Sequence, residues 1–314
     1  MNDIRPGRLF TRREVLAFGA GIGAGAVLPL APSLAAEGPL LTRPIARSGE
    51  RLPAVGLGTA IVFDIGEDAA RRAERRAVLE KLIEGGGRLV DTAPSYGTAE
   101  SVLGDLVSAM GARDRLFLAT KVRAAGREAS MAEMQQSLRR LRTGKVDLIQ
   151  LHNVNDVATD LGALKAFRDQ GHARYIGVTH FIAGAYDRLG EVMRREKPDF
   201  VQLNYSLAER SAEERLLPLA AETGTAVLVN LPFARGNLFG AVRGRVLPEW
   251  AKAFDCTSWA QFFLKYALSH EAVTCVIPGT DKPEYMIDNL GAGRGRLPDA
   301  AMRRRMVEFW QSLG

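Results

Sequence analysis

Short apolar runs alternate along this chain with longer stretches whose apolar positions recur at three- and four-residue steps. The runs predict strands at Val55–Gly58, Leu89–Thr92, Leu116–Thr120, Val146–Leu151, Arg174–Val178, Phe200–Asn204, Ala226–Asn230 and Thr274–Ile277. The stretches between them predict helices over Ala70–Glu84, Glu100–Met110, Met131–Arg142, Asp160–Gln170, Ala185–Glu196, Glu213–Thr223 and Trp259–Ser269. Strands of unbroken Val, Ile and Leu character suit a parallel sheet covered on both faces. Eight strand–helix units predict an α/β fold, a closed (β/α)8 TIM barrel. An open dinucleotide-binding sheet would need Gly-x-Gly-x-x-Gly at the first turn. Gly56-Leu57-Gly58-Thr59-Ala60-Ile61 lacks the third glycine, and no helix opens there. Before the barrel, Leu41–Pro53 reads as a hairpin turning at Ser48-Gly49-Glu50 and capping the barrel floor. After Leu290 a final amphipathic helix is predicted, with Met302, Met306, Phe309 and Trp310 turned inward.

The first residues follow a different pattern. Thr11-Arg12-Arg13-Glu14-Val15-Leu16 is a twin-arginine motif, followed by a Gly/Ala-rich apolar run from Ala17 to Leu30. Ala31-Pro32-Ser33-Leu34-Ala35-Ala36 then offers the small residues that a signal peptidase reads. The expected division is a signal peptide over 1–35, cleaved after Ala35 with Ala36 as the alternative, and a barrel domain over 36–314. A retained membrane anchor is the competing reading. The run is short, glycine-rich and broken by Pro29 and Pro32, so it spans a bilayer poorly. Export by the twin-arginine translocation machinery to the periplasm or beyond follows, with no stable membrane insertion after cleavage. That route carries folded proteins, often with cofactor already bound.

The net charge of +6 is mild, and the arginines are scattered. No basic tract interleaved with aromatics is present, which argues against nucleic-acid binding. The charge run Arg71-Arg72-Ala73-Glu74-Arg75-Arg76 reads as a solvated helix face. Two cysteines, Cys256 and Cys275, match no metal-ligand spacing and read as independent buried thiols. No metal site is expected.

Candidate chemistry gathers where the predicted strands end. Asp91-Thr92-Ala93-Pro94-Ser95-Tyr96-Gly97 follows one strand, Lys121 ends a second and His152 a third. These residues can converge only if the strands run parallel, at the top of a barrel. At these residues the chain resembles the aldo-keto reductase superfamily. The resemblance runs from about Leu41 to Leu290 and includes Leu52-Pro53-Ala54-Val55-Gly56-Leu57-Gly58-Thr59, Leu151-His152-Asn153, Ile176-Gly177-Val178, Val201-Gln202-Leu203-Asn204-Tyr205 and Ile277-Pro278-Gly279-Thr280. It implies a nicotinamide cofactor and reversible reduction of a small carbonyl compound to an alcohol.

Hydride delivery to a carbonyl leaves negative charge on oxygen, which a proton donor must meet. An ammonium beside a phenol favours the phenolate and so makes a better acid. Tyr96 is accordingly the expected proton donor. Lys121 tunes it, Asp91 pairs with Lys121, and His152 donates a hydrogen bond that orients the substrate carbonyl. The resemblance implies the same four roles.

The resemblance also implies cofactor contacts. The pair Thr179-His180 stands where the family most often has serine-asparagine to hold the nicotinamide carboxamide, and Gln202 matches the glutamine that shares this task. Asn230 stands where many relatives carry a stacking tyrosine; an asparagine cannot supply that face, and Phe233 or a loop tryptophan could substitute. Leu231, Arg235 and Gly236 follow on the same segment. Gly279-Thr280-Asp281-Lys282 through Asp288 and Asn289 aligns with the phosphate-and-adenine segment, with Lys282 the nearby cation and Asp281 and Asp288 opposing it. The resemblance favours NADPH, and the departures leave NADH open. Phe63, Phe233, Trp250 and Phe254 are candidates for an apolar substrate wall. A monomer is expected from the family. Two further readings stand beside the enzyme: a nucleotide-binding regulatory or redox-sensing barrel with little or no turnover, and a redox partner that recycles bound cofactor in place.

Overall fold

The computed structural model describes residues 38–154 and 157–313. The signal peptide and its cleavage site, read from the sequence over residues 1–36, lie outside the described residues. The described chain enters through a hairpin, β1 (Thr42–Pro44) paired antiparallel with β2 (Arg51–Pro53). Ile45 and Leu52 from this hairpin plug the barrel floor, in one cluster with Leu89, Phe117 and Phe200.

Strand and helix then alternate. The first half runs β3 (Leu57–Gly58), α1 (Ala69–Glu84), β4 (Leu89–Asp91), α2 (Ala99–Ala109), β5 (Phe117–Val122), α3 (Arg127–Arg140), β6 (Val146–His152) and α4 (Val157–Asp169). The second half runs β7 (Ala173–His180), α5 (Tyr186–Glu196), β8 (Phe200–Asn204), α6 (Leu216–Thr223), β9 (Ala226–Asn230), α7 (Asn237–Ala241), α8 (Trp259–Leu268) and β10 (Val273–Val276). Helices α9 (Pro283–Gly291) and α10 (Ala300–Gln311) complete the chain. Strands β3 to β10 pair in parallel, each with its sequence neighbour. The two ends meet where Val55 bridges Val276 and Gly58 bridges Gly279, with Gly56 N donating to Val276 O at 2.9 Å. The eight-stranded barrel predicted from the pattern is therefore present, with its hairpin.

Boundaries differ in two informative places. The first strand's ladder shortens to Leu57–Gly58, and β5 continues to Val122, so Lys121 lies inside its strand rather than at its end. The period-2 alternation of strands explains the layering. Leu89, Phe117, Leu148, Phe200 and Leu228 point into the barrel. Their neighbours Val90, Leu118, Ile149, Val201 and Val227 face the helices. Two residues further up the inward face come Asp91, Gln150, Gln202 and Asn230, and four residues above Phe117 comes Lys121. Inward-facing Gly177 leaves room for this layer, since a Cβ there would meet Gln150 Cγ at 2.9 Å.

Two expectations are overturned. Arg75, read as part of a solvated charge run, is buried at 3% exposure. Its Nε donates to Val62 O at 2.7 Å and its Nη1 to Asp281 O, so it ties two loops together. Phe63, Trp250 and Phe254 do not form a substrate wall. Phe63 and Phe254 are buried in the core, and Trp250 packs on Phe262 at 5.6 Å and Phe309 at 6.0 Å, in the seam that receives α10. Of α10's expected inward residues, Met306 is buried and Met302, Phe309 and Trp310 pack partly buried against the core. Cys256 and Cys275 are free and buried, and burial pushes the Cys256 thiol up to about 12.

Candidate active site

The C-terminal ends of the strands surround a cavity of about 780 Å³. Its size falls in the range of small-molecule sites. At its floor Asp91 is nearly buried, and beneath it Lys121 is fully so. Lys121 Nζ donates to Asp91 Oδ2 at 2.5 Å and to Thr92 O at 2.9 Å. The other Asp91 oxygen, Oδ1, accepts from Gln150 Nε2 at 3.0 Å and Gln202 Nε2 at 2.8 Å. Three donors thus hold this carboxylate, one on Oδ2 and two on Oδ1, and a buried charge is tolerated when it is paired and hydrogen-bonded in this way. Burial alone would lower the Lys121 pKa. The charge of Asp91 and the Tyr96 hydroxyl outweigh it, and the net direction is upward. Lys121 is an ammonium at any working pH.

Tyr96 sits above this pair. Its loop leaves β4 at Asp91 and turns back through a hydrogen bond from Tyr96 N to Ala93 O at 3.1 Å. Lys121 Nζ lies 4.9 Å from the Tyr96 ring centroid. Gly97 follows at φ 60°, with the Asp64 carboxylate where its Cβ would be. Asp64 Oδ1 accepts from both Thr98 N and Thr98 Oγ1 at 3.0 Å, which clamps the turn. The His152 ring meets Tyr96 edge to face at 6.0 Å. Burial, followed by the nearby charges of Lys121, Arg123 and His180, holds His152 down to about 3. The imidazole is therefore neutral, and its Nδ1 is buried without a partner among the described residues.

Asp91, Tyr96 and His152 line the cavity, with Lys121 beneath them. So do Thr179, His180, Gln202, Asn230, Leu231, Phe233, Arg235, Gly236 and Gly279 from the expected cofactor set. The hydrogen bonds fix the polarity of this wall. Asp91 can only accept, so Gln202 turns its amide nitrogen down and its Oε1 up. That Oε1 accepts from Asn230 Nδ2 at 3.3 Å and Thr179 Oγ1 at 3.4 Å. His180 Nδ1 accepts from Ile182 N at 3.2 Å, which leaves its neutral ring an Nε2–H to donate. A carboxamide, which both donates and accepts, is a group that such a set suits. Arg235 brings a cation to the same wall, as a phosphate would require.

Of the phosphate-and-adenine segment only Gly279 lines the cavity; Thr280, Lys282, Asp288 and Asn289 do not. Thr280 and Asn289 are buried and bonded to each other, Nδ2 to Oγ1 at 3.0 Å. Asp288 accepts from Ser258 Oγ at 2.7 Å and Gln261 Nε2 at 2.8 Å, which ties α9 to the start of α8. Lys282 Nζ lies over the Tyr285 ring at 5.4 Å. Gln150 went unnoticed in the sequence, although it shares an inward face with His152 two positions on. Ile61 and Phe181, which also line the cavity, carried no sequence signal beyond being apolar near a strand end.

The Aldo/keto reductase family model matches residues 54–306. Methylglyoxal reductase YeaE of Escherichia coli is 32% identical over 233 residues, 72% of this chain and 80% of that protein. The NADH-specific methylglyoxal reductase of the same organism is 23% identical over 84% of this chain and 98% of its own length. Among solved structures, an aldo/keto reductase from Klebsiella pneumoniae in complex with NADP and acetate superimposes with a TM-score of 0.71 at 28% identity, covering 83% of this chain and 93% of that one.

Proposed function

The chain belongs to the aldo/keto reductase family, and from that premise we propose that it reduces an aldehyde or ketone to an alcohol with a nicotinamide nucleotide, using Tyr96 as proton donor. The observation that carries this reading is the buried Lys121–Asp91 pair set directly under Tyr96 and beside a neutral His152. Thr179, His180, Gln202 and Asn230 would hold the carboxamide, and Arg235 a phosphate. When bound, the reduced nucleotide supplies the hydride.

The protein's own groups manage the proton. His152 is neutral, so it can donate one hydrogen bond to the carbonyl oxygen without bringing a competing charge. Tyr96 Oη gives its proton to that oxygen as negative charge develops there. The phenolate left behind lies against the Lys121 ammonium, which cannot retreat because Asp91 Oδ2 and Thr92 O hold it. Gln150 and Gln202 in turn keep Asp91 from rotating.

The proposed cofactor is NADPH, as in the Klebsiella complex with NADP, with NADH as the alternative that the second E. coli relative illustrates. The proposed substrate is a small carbonyl compound, in line with the methylglyoxal reductases among the relatives. The twin-arginine motif supports export before function, so we place the mature protein, from residue 36, outside the cytoplasm. Fractionation of cells making the full chain or Arg12→Lys/Arg13→Lys tests that placement; cytoplasmic retention of both would refute it.

The activity test follows NADPH or NADH oxidation with a panel of aldehydes, for the native protein and Tyr96→Phe, with nucleotide affinity measured alongside. The native protein turns over. The variant loses about 10²–10⁴-fold in kcat with unchanged nucleotide Kd. Tight nucleotide binding by both proteins with turnover by neither would replace this reading with the regulatory one.

A further inference from the structure

The loop between β3 and α1 contains a residue that suits neither its backbone nor its surroundings. Ile61 has φ 67°, in the left-handed region that β-branched side chains rarely adopt. It is the central residue of a three-residue turn closed by Val62 N donating to Ala60 O at 2.8 Å. Turns of this kind with a positive central φ are rare and strained. Glycine or asparagine would fit there at less cost. The side chain gains nothing from the core in return, since it is 77% exposed.

The turn is held from both sides. Thr59 donates through N and Oγ1 to Asp91 O, both at 3.0 Å, so the loop is tied to the strand end that carries the buried ion pair. Beyond Ile61, Arg75 Nε grips Val62 O and the Phe63 ring is buried. The strained residue is therefore over-determined by its neighbours, the condition under which strain persists at functional sites. Ile61 lines the cavity, and so do Phe181 and Phe239, exposed at 39% and 38%. Three large, exposed apolar side chains thus line the cavity that also holds Tyr96 and His152. Exposed apolar side chains lining a cavity mark it as a surface for an apolar ligand group.

We propose that Ile61 is a specificity-determining residue that packs against an apolar substituent of the substrate, so that among small carbonyl compounds the site favours those bearing an aryl or branched alkyl group. This rests on the carbonyl-reductase reading above. Ile61 takes no part in proton or hydride transfer. It discriminates by burying apolar surface, and one apolar contact of this size is worth roughly tenfold or more in selectivity.

The test uses the nucleotide-loaded protein with two aldehydes that share the same CHO group and ethyl stem, 3-phenylpropanal and propanal. Native protein, Ile61→Asn and Ile61→Val are compared by kcat/KM, NADPH Kd and melting temperature. The native protein prefers 3-phenylpropanal. In Ile61→Asn that preference falls roughly tenfold through KM for the phenyl substrate. Propanal turnover and NADPH Kd hold, and the melting temperature does not drop because asparagine suits the turn. Ile61→Val keeps most of the preference. An unchanged ratio in Ile61→Asn overturns the inference while leaving the carbonyl-reductase reading intact. So does a parallel loss on both aldehydes, which marks a structural role, and so does a weakened NADPH Kd with an unchanged ratio, which puts Ile61 against the nucleotide instead. If the native protein turns over neither aldehyde, nor any member of the panel above, both readings fall.

Discussion

Replacing Lys121 with methionine separates the electrostatic role of this residue from its bulk. The two side chains are similar in length, so Lys121→Met leaves little cavity. It removes the donor to Asp91 Oδ2 and to Thr92 O and leaves the Asp91 charge in a buried site. Breaking a buried pair from one side costs about 3–5 kcal/mol. Gln150 and Gln202 still donate to Oδ1, which places the expected loss at the lower end, about 3 kcal/mol. At roughly 2–4 °C per kcal/mol for a domain of this size, the melting temperature should fall about 6–12 °C. Removing both charges relieves the problem, so Asp91→Asn/Lys121→Met should be more stable than the sum of the two single losses, by about 2 kcal/mol. Urea unfolding of the native protein, both single variants and the double variant closes the cycle. The sign with pH follows from the upward shift of Lys121. Its contribution is complete below its unfolded pKa and is lost only as pH rises through its still higher folded value, so the cycle should read the same at pH 6 and pH 9. A single-variant loss under about 1 kcal/mol, or strict additivity, would refute the reasoning that Asp91 and Lys121 stabilise each other as ions.

Three other perturbations probe the surrounding framework. Gly97→Ala places a methyl against the Asp64 carboxylate at a positive φ, and should cost about 2 kcal/mol and lower kcat by displacing Tyr96; an unchanged urea midpoint and rate would show that the turn is soft. Arg75→Met orphans Val62 O and Asp281 O, and should cost about 2 kcal/mol and weaken nucleotide binding severalfold; isothermal titration giving the native Kd would detach this strut from the site. His152, held down to about 3 mainly by burial, stays neutral from pH 8 to pH 5, so kcat/KM should show no acid limb with a midpoint near an ordinary histidine; its stability term runs the other way, since the unfolded chain takes up a proton below about 6.5 that the folded site refuses, and stability should fall as pH drops from there toward 3.

Much of this protein can be read from its sequence, for a definite reason. Strand and helix periods depend on which face each residue must bury, and that pattern is local. It predicts the eight strands, the floor hairpin and the inward side of α10. Because inward positions alternate, Asp91, Gln202 and Asn230 continue the faces of Leu89, Phe200 and Leu228, and the convergence of Asp91, Tyr96, Lys121 and His152 follows from parallel strand ends. Gln150 was legible by the same parity.

The remainder depends on contacts between segments distant in sequence. The helical period puts Arg75 on the buried face of Val78, Leu79 and Leu82, yet its charge argues for solvent; it is tolerated there because Val62 and Asp281, from two other loops, present their carbonyls to it. Trp250 and Phe254 have the composition of a pocket wall, yet they belong to the seam that receives α10. Asp288 looks available to a ligand and is instead bonded to Ser258 and Gln261. The left-handed backbone of Ile61 is imposed from both sides, by Thr59 bonded to Asp91 and by Arg75. Local sequence therefore determined which elements form and which residues share the barrel's inner face, since burial periodicity is a short-range property. Only the tertiary structure decided which polar groups are matched with one another and which apolar groups remain uncovered at the mouth, because those depend on partners brought together by closure of the barrel.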